Sequence, residues 1–237
     1  MITNHAATPI ISARGLHHSF GRTEALRGVD LDVLAGEVLA VMGPSGSGKS
    51  TLLHCLAGVI KPDGGSVTYH PGGRTPVAIS ALQEPKRARL RLTDFGFVFQ
   101  FGQLLPELSA VDNVSIPLLL HGARRPEALR KSADLVARLG VDSLGSRLPG
   151  ELPGGQAQRV AVARALVTSP AVLFADEPTG ALDSLASENV LTLMLDLVRD
   201  SGTTVVMITH DARTAAYADR EVIVRDGAMG AGYRVSA

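Results

Sequence analysis

The sequence predicts an α/β protein built on a mostly parallel sheet, with a small opening β-layer and a helical insert. Three apolar, strand-like segments at residues 37–42, 171–175 and 203–209 carry this prediction, because helical segments alternate with them. The first segment leads into a glycine-rich loop and then a helix, which is the order of a parallel β-loop-α unit. Between residues 109 and 139 the pattern is helical, which indicates the insert.

The chain is predicted to begin and end with further strands. Ile10–Ser19 and Val29–Leu34 are interpreted as strands of the opening β-layer. The stretch Pro71–Pro76 is rich in proline and glycine, which is typical of a turn. Close to the other end, Asp226-Gly227 is typical of the two-residue turn of a β-hairpin. We therefore expect the last strands of the chain to form that hairpin.

Helices are predicted from apolar spacing and from end signals. Lys49–Gly58 carries leucines on one side, and its glycine stands where a helix would end. Ser109–His121 and Pro126–Leu139 are the helices expected in the insert. Apolar residues recur at a spacing of 3.6 between 190 and 198, which predicts a helix packed on the core. The basic run at 86–91 is interpreted as a solvated face.

Composition narrows the class of protein. The 237 residues suffice for one large domain, and 23 basic residues balance 23 acidic ones, so nothing favours a nucleic-acid partner. Cys55 is the single cysteine, which excludes an internal disulfide and a zinc site made of several cysteines. We expect Cys55 to be a small buried core residue and the compartment to be reducing.

The sequence shows no membrane-targeting element of its own. Met1–Ile10 lacks the basic and apolar regions of a signal peptide. The longest apolar stretches, such as Val114–Leu120, are far shorter than the about 20 residues that span a bilayer. Any membrane role is therefore expected to depend on a partner.

A phosphate-binding loop stands between a predicted strand and a predicted helix. It matches G-x-x-x-x-G-K-[ST] and consists of Gly43, Pro44, Ser45, Gly46, Ser47, Gly48, Lys49, Ser50 and Thr51. Its glycines let backbone N–H groups surround phosphates, and the helix N-terminus favours negative charge. We expect Lys49 to reach the β- and γ-phosphates and Ser50 to ligate Mg²⁺. A chance glycine loop is the alternative, and the flanking strand and helix argue against it.

Two carboxylates and one histidine follow buried strands. Asp176 is predicted at the carboxyl end of the strand 171–175, where it would hold Mg²⁺. Glu177, one residue later, would be the general base that polarises the attacking water. The alternative is a solvated pair of acids before a turn. His210 ends the strand 203–209 and is placed beside the γ-phosphate, with a polar strand cap as the alternative.

A second glycine pair opens another helix, in the run 152–159, Leu-Pro-Gly-Gly-Gln-Ala-Gln-Arg. Together with the loop at 43–51 and the acidic pair at 176–177, it resembles the ATP-binding subunit of an ABC (ATP-binding cassette) transporter. The resemblance covers roughly residues 10–229. It implies a P-loop NTPase of ABC type in which Walker A is 43–51, Walker B is 171–177 and the signature motif is 152–156.

The resemblance also assigns individual residues. It makes Gln100 a Mg²⁺ ligand and a sensor linked to the permease, and His210 the switch histidine. It places Asp183 in a loop that faces the partner subunit, and it makes Phe20 the aromatic that stacks on adenine. For Phe20, a core aromatic at a strand end is the alternative. The signature residues Pro153, Gly154, Gly155 and Gln156 would contact the ATP held by the other subunit.

Pro153 departs from the family, which usually has serine at this position, where the serine contacts the γ-phosphate across the dimer. Proline offers neither a hydroxyl nor an N–H, although it suits the first turn of a helix. The N–H groups of Gly154, Gly155 and Gln156 would remain available. One charge-assisted hydrogen bond is lost, a contribution of about 1.5–3 kcal/mol. We therefore hypothesise that ATP-driven closure is weaker than in relatives with serine.

The segments 100–106 and 113–118 resemble the branch of macrolide exporters and lipoprotein-release ATPases, which pair with FtsX-type permeases. The resemblance implies an ATPase at the cytoplasmic face of the membrane, held by its permease and performing export or mechanotransmission. Its partner is expected to be a second ATP-binding subunit, either another copy of this chain or, as the alternative, a different subunit in a heterodimer. An apolar patch on the insert would receive a short permease helix, or else fill the insert's own core. The patch consists of Phe101, Leu104, Leu105 and Leu108.

The same resemblance divides the single domain 1–237. Approximately 1–94 and 168–237 would form a RecA-like core with the antiparallel β subdomain, and approximately 95–167 the helical subdomain. Two other classes stay open at this point. One is a soluble ABC ATPase of DNA repair, cluster assembly or translation, although the chain has no long coiled-coil insert. The other is a small-molecule kinase, which would need neither the signature helix nor His210.

Overall fold

The structure, a computed structural model, describes residues 9–230, so the prediction made for Met1–Ile10 lies largely outside the described residues. An antiparallel sheet opens the chain with the strand order β2-β1-β4-β5. Its strands are β1 (Pro9–Phe20), β2 (Thr23–Leu34), β4 (Gly64–Tyr69) and β5 (Val77–Ala78). The two predicted opening strands are confirmed, and both are longer than predicted because a tight turn at 21–22 joins them.

The second sheet has the order β10-β9-β3-β8-β7-β6, and its strands pair in parallel except for the closing hairpin. These strands are β3 (Val38–Met42), β6 (Phe95–Phe99), β7 (Val172–Asp176), β8 (Thr204–Ile208), β9 (Arg220–Arg225) and β10 (Ala228–Met229). Asp226 and Gly227 form the predicted hairpin turn, with φ of 48° and 77°. Positive φ at both positions is the geometry that such a two-residue turn requires.

Both faces of the inner strands β3, β7 and β8 are buried, which explains why these strands are almost continuously apolar. On β7, Val172 and Phe174 pack into a cluster with the antiparallel sheet and the helix after the glycine loop. Leu173 and Ala175 point the other way, into a second cluster with the helical insert. The α/β class with a mostly parallel core is therefore confirmed.

The helices are α1 (Lys49–Leu56), α2 (Glu84–Thr93), α3 (Ala110–Leu120), α4 (Arg125–Arg138), α5 (Gly154–Leu166), α6 (Ser184–Ser201) and α7 (Ala212–Ala215). Gly58 follows α1 with a φ of 65°, as its predicted position at a helix end requires. Helices α3, α4 and α5 pack on one another as the insert. Because β6 pairs with β7 along its length, the insert begins after Phe99, later than the approximate boundary predicted at residue 95.

The basic run at 86–91 is only in part the solvated face predicted for it. It lies on α2, where the side chain of Arg87 is only 12% exposed and pairs with Glu84 at 2.7 Å. Arg91 donates a 2.6 Å hydrogen bond to the carbonyl of Gly58 at the end of α1. Two of the arginines therefore pack α2 against α1, while Lys86 and Arg89 remain exposed.

Cys55 is buried on α1, as predicted, and burial raises the pKa of its thiol to about 12, with the nearby Asp63 carboxylate adding to the shift. The thiol therefore stays protonated at neutral pH. Among residues 9–230, no helix combines the length and the apolar character needed to cross a bilayer.

Candidate active site

The glycine loop between β3 and α1 is held open by backbone conformations that only glycine adopts easily. Gly43 and Gly48 have φ of 145° and 101°. A Cβ atom would lie 2.1 Å from the carbonyl of Val224 at the first position and 2.3 Å from that of Ala25 at the second. Larger residues are thus excluded on steric grounds. The loop delivers the N-terminus of α1, a site that favours anions.

Lys49 lies across this loop rather than pointing into solvent. Its side-chain Nζ donates to the carbonyls of Gly43 at 2.8 Å and Pro44 at 2.7 Å. The residue is only 7% exposed. A buried ammonium without a carboxylate within 4.0 Å in the part of the chain described here adds positive charge to the cradle. The loop therefore combines the donors and the charge that a polyphosphate needs.

A cleft of about 590 Å³ extends from the loop to the end of β1. Phe20 lines this cleft and is 56% exposed, so the alternative of a core aromatic is wrong. Most of the remaining wall comes from the glycine loop, the start of β2, Glu177 and the turn at 226–227. An exposed aromatic ring at one end and a phosphate cradle at the other match the two ends of a nucleotide.

Asp176 lies at the carboxyl end of β7, where its Oδ1 is 3.4 Å from the Oγ of Ser50. Burial raises the pKa of Asp176, and the adjacent Glu177 adds to the shift, while Ser50, His54 and Lys49 oppose it. A carboxylate destabilised in this way gains from a bound cation. Carboxylate and hydroxyl oxygens are the ligands that Mg²⁺ prefers, so the pair fits that metal.

Glu177 adopts a left-handed backbone with a φ of 47°, which is uncommon for a residue with a side chain. Its N–H donates to the carbonyl of Ile208 at 3.0 Å, and this bond fixes the residue beside the end of β8. The carboxylate Oε1 lies 3.1 Å from Nδ1 of His210. The strained conformation therefore turns the side chain out of the strand direction and toward the cleft and His210.

Gln100 reaches the same position from β6. A Cβ atom on Gly180 would lie 2.9 Å from Nε2 of Gln100 and 3.1 Å from Oε2 of Glu177. The amide and the carboxylate therefore converge over the glycine, which leaves space for both. Gln100, Glu177 and His210 follow parallel strands and Asp176 ends one, and the structure brings these residues together at one sheet edge.

The signature segment lies outside its own chain's cleft, as far as the described residues 9–230 show. Pro153 is the N-cap of α5, and its side chain makes no capping hydrogen bond. Its carbonyl accepts from the N–H groups of Gln156 at 2.9 Å and Ala157 at 3.0 Å. The expectation that Gln156 offers a free N–H is therefore corrected, because that N–H closes the first turn. Gly154 and Gly155 remain as the N–H groups of the helix N-terminus.

Asp183 has a local role that the sequence also allows. Its carboxylate accepts from the N–H of Ala186 at 2.9 Å and so caps α6. The residue is exposed, and its role toward a partner subunit stays a prediction. The segment that it begins packs on the signature glycines, since a Cβ on Gly155 would lie 3.3 Å from that of Ala186.

Sequence reasoning missed two residues of α5 that join these parts. Gln158 is 3% exposed, and its amide donates to the carbonyls of Phe99 at 2.9 Å and Pro178 at 2.7 Å. Arg164 donates to the carbonyls of Gly102 and Gln103 at 2.7 and 2.8 Å. Both tie the signature helix to the segment after β6. The sequence holds no local signal for them, because their partners are about 20 to 62 residues away.

Comparison with known proteins decides the family. The profile described as "ABC transporter" matches residues 26–180, which is more than half of the chain. The chain belongs to the ABC transporter family. This ABC subunit is 44% identical to the lipoprotein-releasing system ATP-binding protein LolD 2 of Caulobacter vibrioides, with 92% of this chain and 96% of the relative covered. It is 43% identical to the macrolide export ATP-binding/permease protein MacB of Nitrosomonas europaea, where it covers 92% of its own length and 33% of that protein.

A solved structure agrees with this assignment. The dimeric post-hydrolysis state of the ATP-binding cassette MJ0796 with ADP and Pi superposes with a TM-score of 0.86 and 33% identity, covering 96% of this chain and 99% of that one. The predicted ABC-type fold and the resemblance to the lipoprotein-release and macrolide-export branch are confirmed. The ABC subunit binds and hydrolyses ATP as part of a transporter, and neither the soluble ATPase nor the kinase is supported.

Proposed function

We propose that the ABC subunit binds Mg²⁺–ATP with its phosphates on the 43–51 loop and its base against Phe20. The observation that carries this proposal is the convergence of Ser50, Asp176, Glu177 and His210 beside that loop. Ser50, Asp176 and Gln100 would hold the metal ion, which supplies charge neutralisation for the phosphates when bound. Lys49 would exchange its bonds to the loop carbonyls for bonds to the β- and γ-phosphates.

Glu177 is proposed as the general base for the attacking water. Its side chain is about three-quarters buried and faces the cleft that holds the loop. His210, 3.1 Å from it, would keep the carboxylate oriented and sense the γ-phosphate. Gln100 would hold the other side of the same water position. These roles rest on geometry around one site, with each group supplied by a different strand end.

A second copy would complete each site. Gly154 and Gly155 present the N-terminal N–H groups of α5, a favourable position for the γ-phosphate of the neighbouring subunit. Leu182, the residue before Asp183, lies 3.4 Å from the Cβ position of Gly154. Asp183 is exposed and would face the partner. The related cassette MJ0796 is dimeric with ADP and Pi, which supports this arrangement. ATP-driven closure of a homodimer, followed by hydrolysis and opening, is the resulting cycle.

A groove on the helical insert, near the sheet edge that carries Gln100, is proposed to receive the permease. It has a volume of about 190 Å³ between α2, β6, α3 and α5, and Pro117 and Leu120 form part of its wall. Leu120 is 67% exposed and Phe101 78%, while Leu104 packs into the insert's own core. Of the predicted apolar patch, Phe101 is thus available to a permease helix, whereas Leu104 fills the insert's own core. An exposed apolar groove suits a short cytoplasmic helix of an FtsX-type permease, which would hold the subunit at the membrane.

The transported substrate is proposed to be a lipoprotein. Relatives that are matched over 87–99% of their length are ATP-binding proteins of lipoprotein-releasing systems.

Arg164 supports transmission from the groove to the active site, because it lines the groove and donates hydrogen bonds to the two carbonyls that follow Phe101. A displacement of the permease helix would thereby reach Gln100.

Co-expression with an FtsX-type permease tests the docking surface. Phe101→Asp and Leu120→Asp are expected to abolish co-purification with the permease from detergent-solubilised membranes. Leu148→Asp, at an exposed leucine outside the groove, is the matched control. ATP hydrolysis by the isolated variants should stay near that of the parent chain, since neither side chain lines the nucleotide cleft. Full retention of both Phe101→Asp and Leu120→Asp on the permease would refute this docking mode.

A further inference from the structure

His18 and Asp63 form a support behind the exposed ring of Phe20. The rings of His18 and Phe20 meet edge to face, with centroids 4.7 Å apart and an interplanar angle of 87°. The His18 side chain is only 12% exposed, although it lies near the end of a strand that leads into the cleft. An aromatic pair of this geometry is attractive and restricts both rings. The ring of Phe20 is thus not free to rotate as an isolated surface side chain would.

Asp63 fixes the strand end that carries both rings. Its carboxylate Oδ2 accepts from the N–H of Ser19 at 2.8 Å and lies 3.3 Å from Nδ1 of His18, an ion-pair distance without hydrogen-bond alignment. Its own N–H donates to the carbonyl of His17 at 2.9 Å. The pairing of β1 with β2 shifts between His18 and Ser19, so this is a point where the ladder alone does not fix the backbone.

The support belongs to the same segment as the phosphate loop. Asp63 lies in the connection between α1 and β4, and α1 begins at Lys49. One continuous segment therefore carries the phosphate-binding loop at its start and, at its end, Asp63 with its contacts to β1. We infer that His18 and Asp63 are positioning residues for the nucleobase, which set the orientation of Phe20 relative to the phosphate loop. This inference rests on the proposed stacking role of Phe20.

Two ligands separate the base site from the phosphate site. Calorimetric titration in Mg²⁺-free buffer gives the dissociation constants of ATP and of inorganic tripolyphosphate, which lacks the base. His18→Ala is expected to weaken ATP about 2- to 10-fold, the range of an aromatic pair contact, and to leave tripolyphosphate unchanged. His18→Phe keeps a ring edge without the imidazole and should retain ATP affinity within about 2-fold. The matched control is His121→Ala, at an exposed histidine after α3.

A double-mutant cycle then connects the two residues. In a Phe20→Ala background, His18→Ala should cause no further loss of ATP affinity, because the aromatic ring that His18 orients is then absent. In steady-state hydrolysis, His18→Ala should raise KM and leave kcat unchanged. Asp63→Ala should have the same pattern through the freed N–H of Ser19.

The possible failures are distinguishable. If Phe20→Ala leaves ATP affinity unchanged, the stacking role itself is wrong and the inference is lost with it. If Phe20→Ala weakens ATP and His18→Ala does not, the stacking role stands and the positioning role is refuted. An equal loss of ATP and tripolyphosphate in His18→Ala also refutes it, because the phosphate loop would then have been disturbed.

Discussion

The imidazole Nδ1 of His210 lies 3.1 Å from the carboxylate Oε1 of Glu177, so the segments that follow β8 and β7 meet at this carboxylate. The contact exists because Glu177 adopts a φ of 47° and donates its N–H to the carbonyl of Ile208. The proposed base and the proposed switch histidine are thereby fixed by the same two strands. Any loss of the carboxylate charge should block hydrolysis without disturbing the phosphate loop.

Glu177→Gln is accordingly expected to bind ATP and to lower kcat by at least about 100-fold, the usual contribution of a general base. The phosphate loop and Phe20 do not depend on the charge, so ATP affinity should be preserved. Phosphate release measures kcat, and light scattering of the ATP-loaded variant should show a persistent dimer. Glu127→Gln, at a surface ion pair with Lys131 on α4, controls for the substitution itself. Rapid turnover by Glu177→Gln would refute the base assignment.

Pro153→Ser tests the departure in the signature motif. Pro153 is the N-cap residue of α5 and its side chain makes no hydrogen bond, so serine at this position would add a hydroxyl beside Gly154. A charge-assisted hydrogen bond to phosphate contributes about 1.5–3 kcal/mol, and a homodimer with two sites gains two of them, which corresponds to roughly 150- to 25,000-fold in dimer affinity with ATP. Analytical ultracentrifugation in the Glu177→Gln background measures that affinity. Pro149→Ser, in the short turn before the signature, is the control, and a dimer affinity unchanged by Pro153→Ser would contradict the hypothesis.

The sequence predicted those parts of the site whose residues lie within one short, contiguous segment. The 43–51 loop and Glu177 each directly follow a short apolar strand and Asp176 ends one, so the apolar runs were enough to place them. Asp183 was assigned from the resemblance, and its capping of α6 became visible only with the bond to Ala186.

The failures arose where a residue's surroundings come from distant segments. Arg87 was predicted to be solvated from the charge of its neighbours, but it is buried by the end of α1 and by Glu84. Gln156 and Gln158 are the same residue type two positions apart, yet only Gln158 is buried, and its amide donates to the carbonyl of Phe99, 59 residues away. The N–H of Gln156 was expected to be free, and a carbonyl three residues earlier occupies it.

Asp176→Asn should stabilise the nucleotide-free protein while abolishing hydrolysis. The pKa of Asp176 is raised in the folded state, so its stabilising contribution is present only below the unfolded value and is lost as pH rises through the folded pKa. At pH 7 the ionised group therefore destabilises the fold, and a neutral amide relieves this cost. Each kcal/mol gained would raise Tm by about 2–4 °C. Thermal denaturation at pH 7 without nucleotide is the measurement.

Asp134→Asn, at an exposed carboxylate on α4, is the control for Asp176→Asn and should leave Tm nearly unchanged. A Tm below that of the parent chain would show that Asp176 is stabilised in the apo site and would remove the physical reason for its affinity for a cation.

The opposite sign is expected at Asp94, which joins the antiparallel sheet to β6. Burial alone raises the pKa of Asp94, but hydrogen bonds from Thr93, Arg74 and Tyr69 outweigh it and hold that pKa below its ordinary value. The Tyr69 hydroxyl donates at 3.1 Å, and the Asp94 carbonyl accepts the N–H of Ala171 at 2.8 Å. The contribution of the carboxylate is thus present above the unfolded pKa of about 3.9 and is lost as pH falls through the lower folded value.

Asp94→Asn should therefore lower the free energy of unfolding by about 1–3 kcal/mol at pH 7, because it leaves buried donors imperfectly paired. The loss should shrink as the pH falls below the unfolded pKa of about 3.9 and through the lower folded value of Asp94, because the parent carboxyl then becomes protonated as well. Urea denaturation across this range gives the comparison, with Asp196→Asn on the exposed face of α6 as the control. A loss that is independent of pH would mean that the packing around Tyr69 stabilises this joint and that the charge of Asp94 does not.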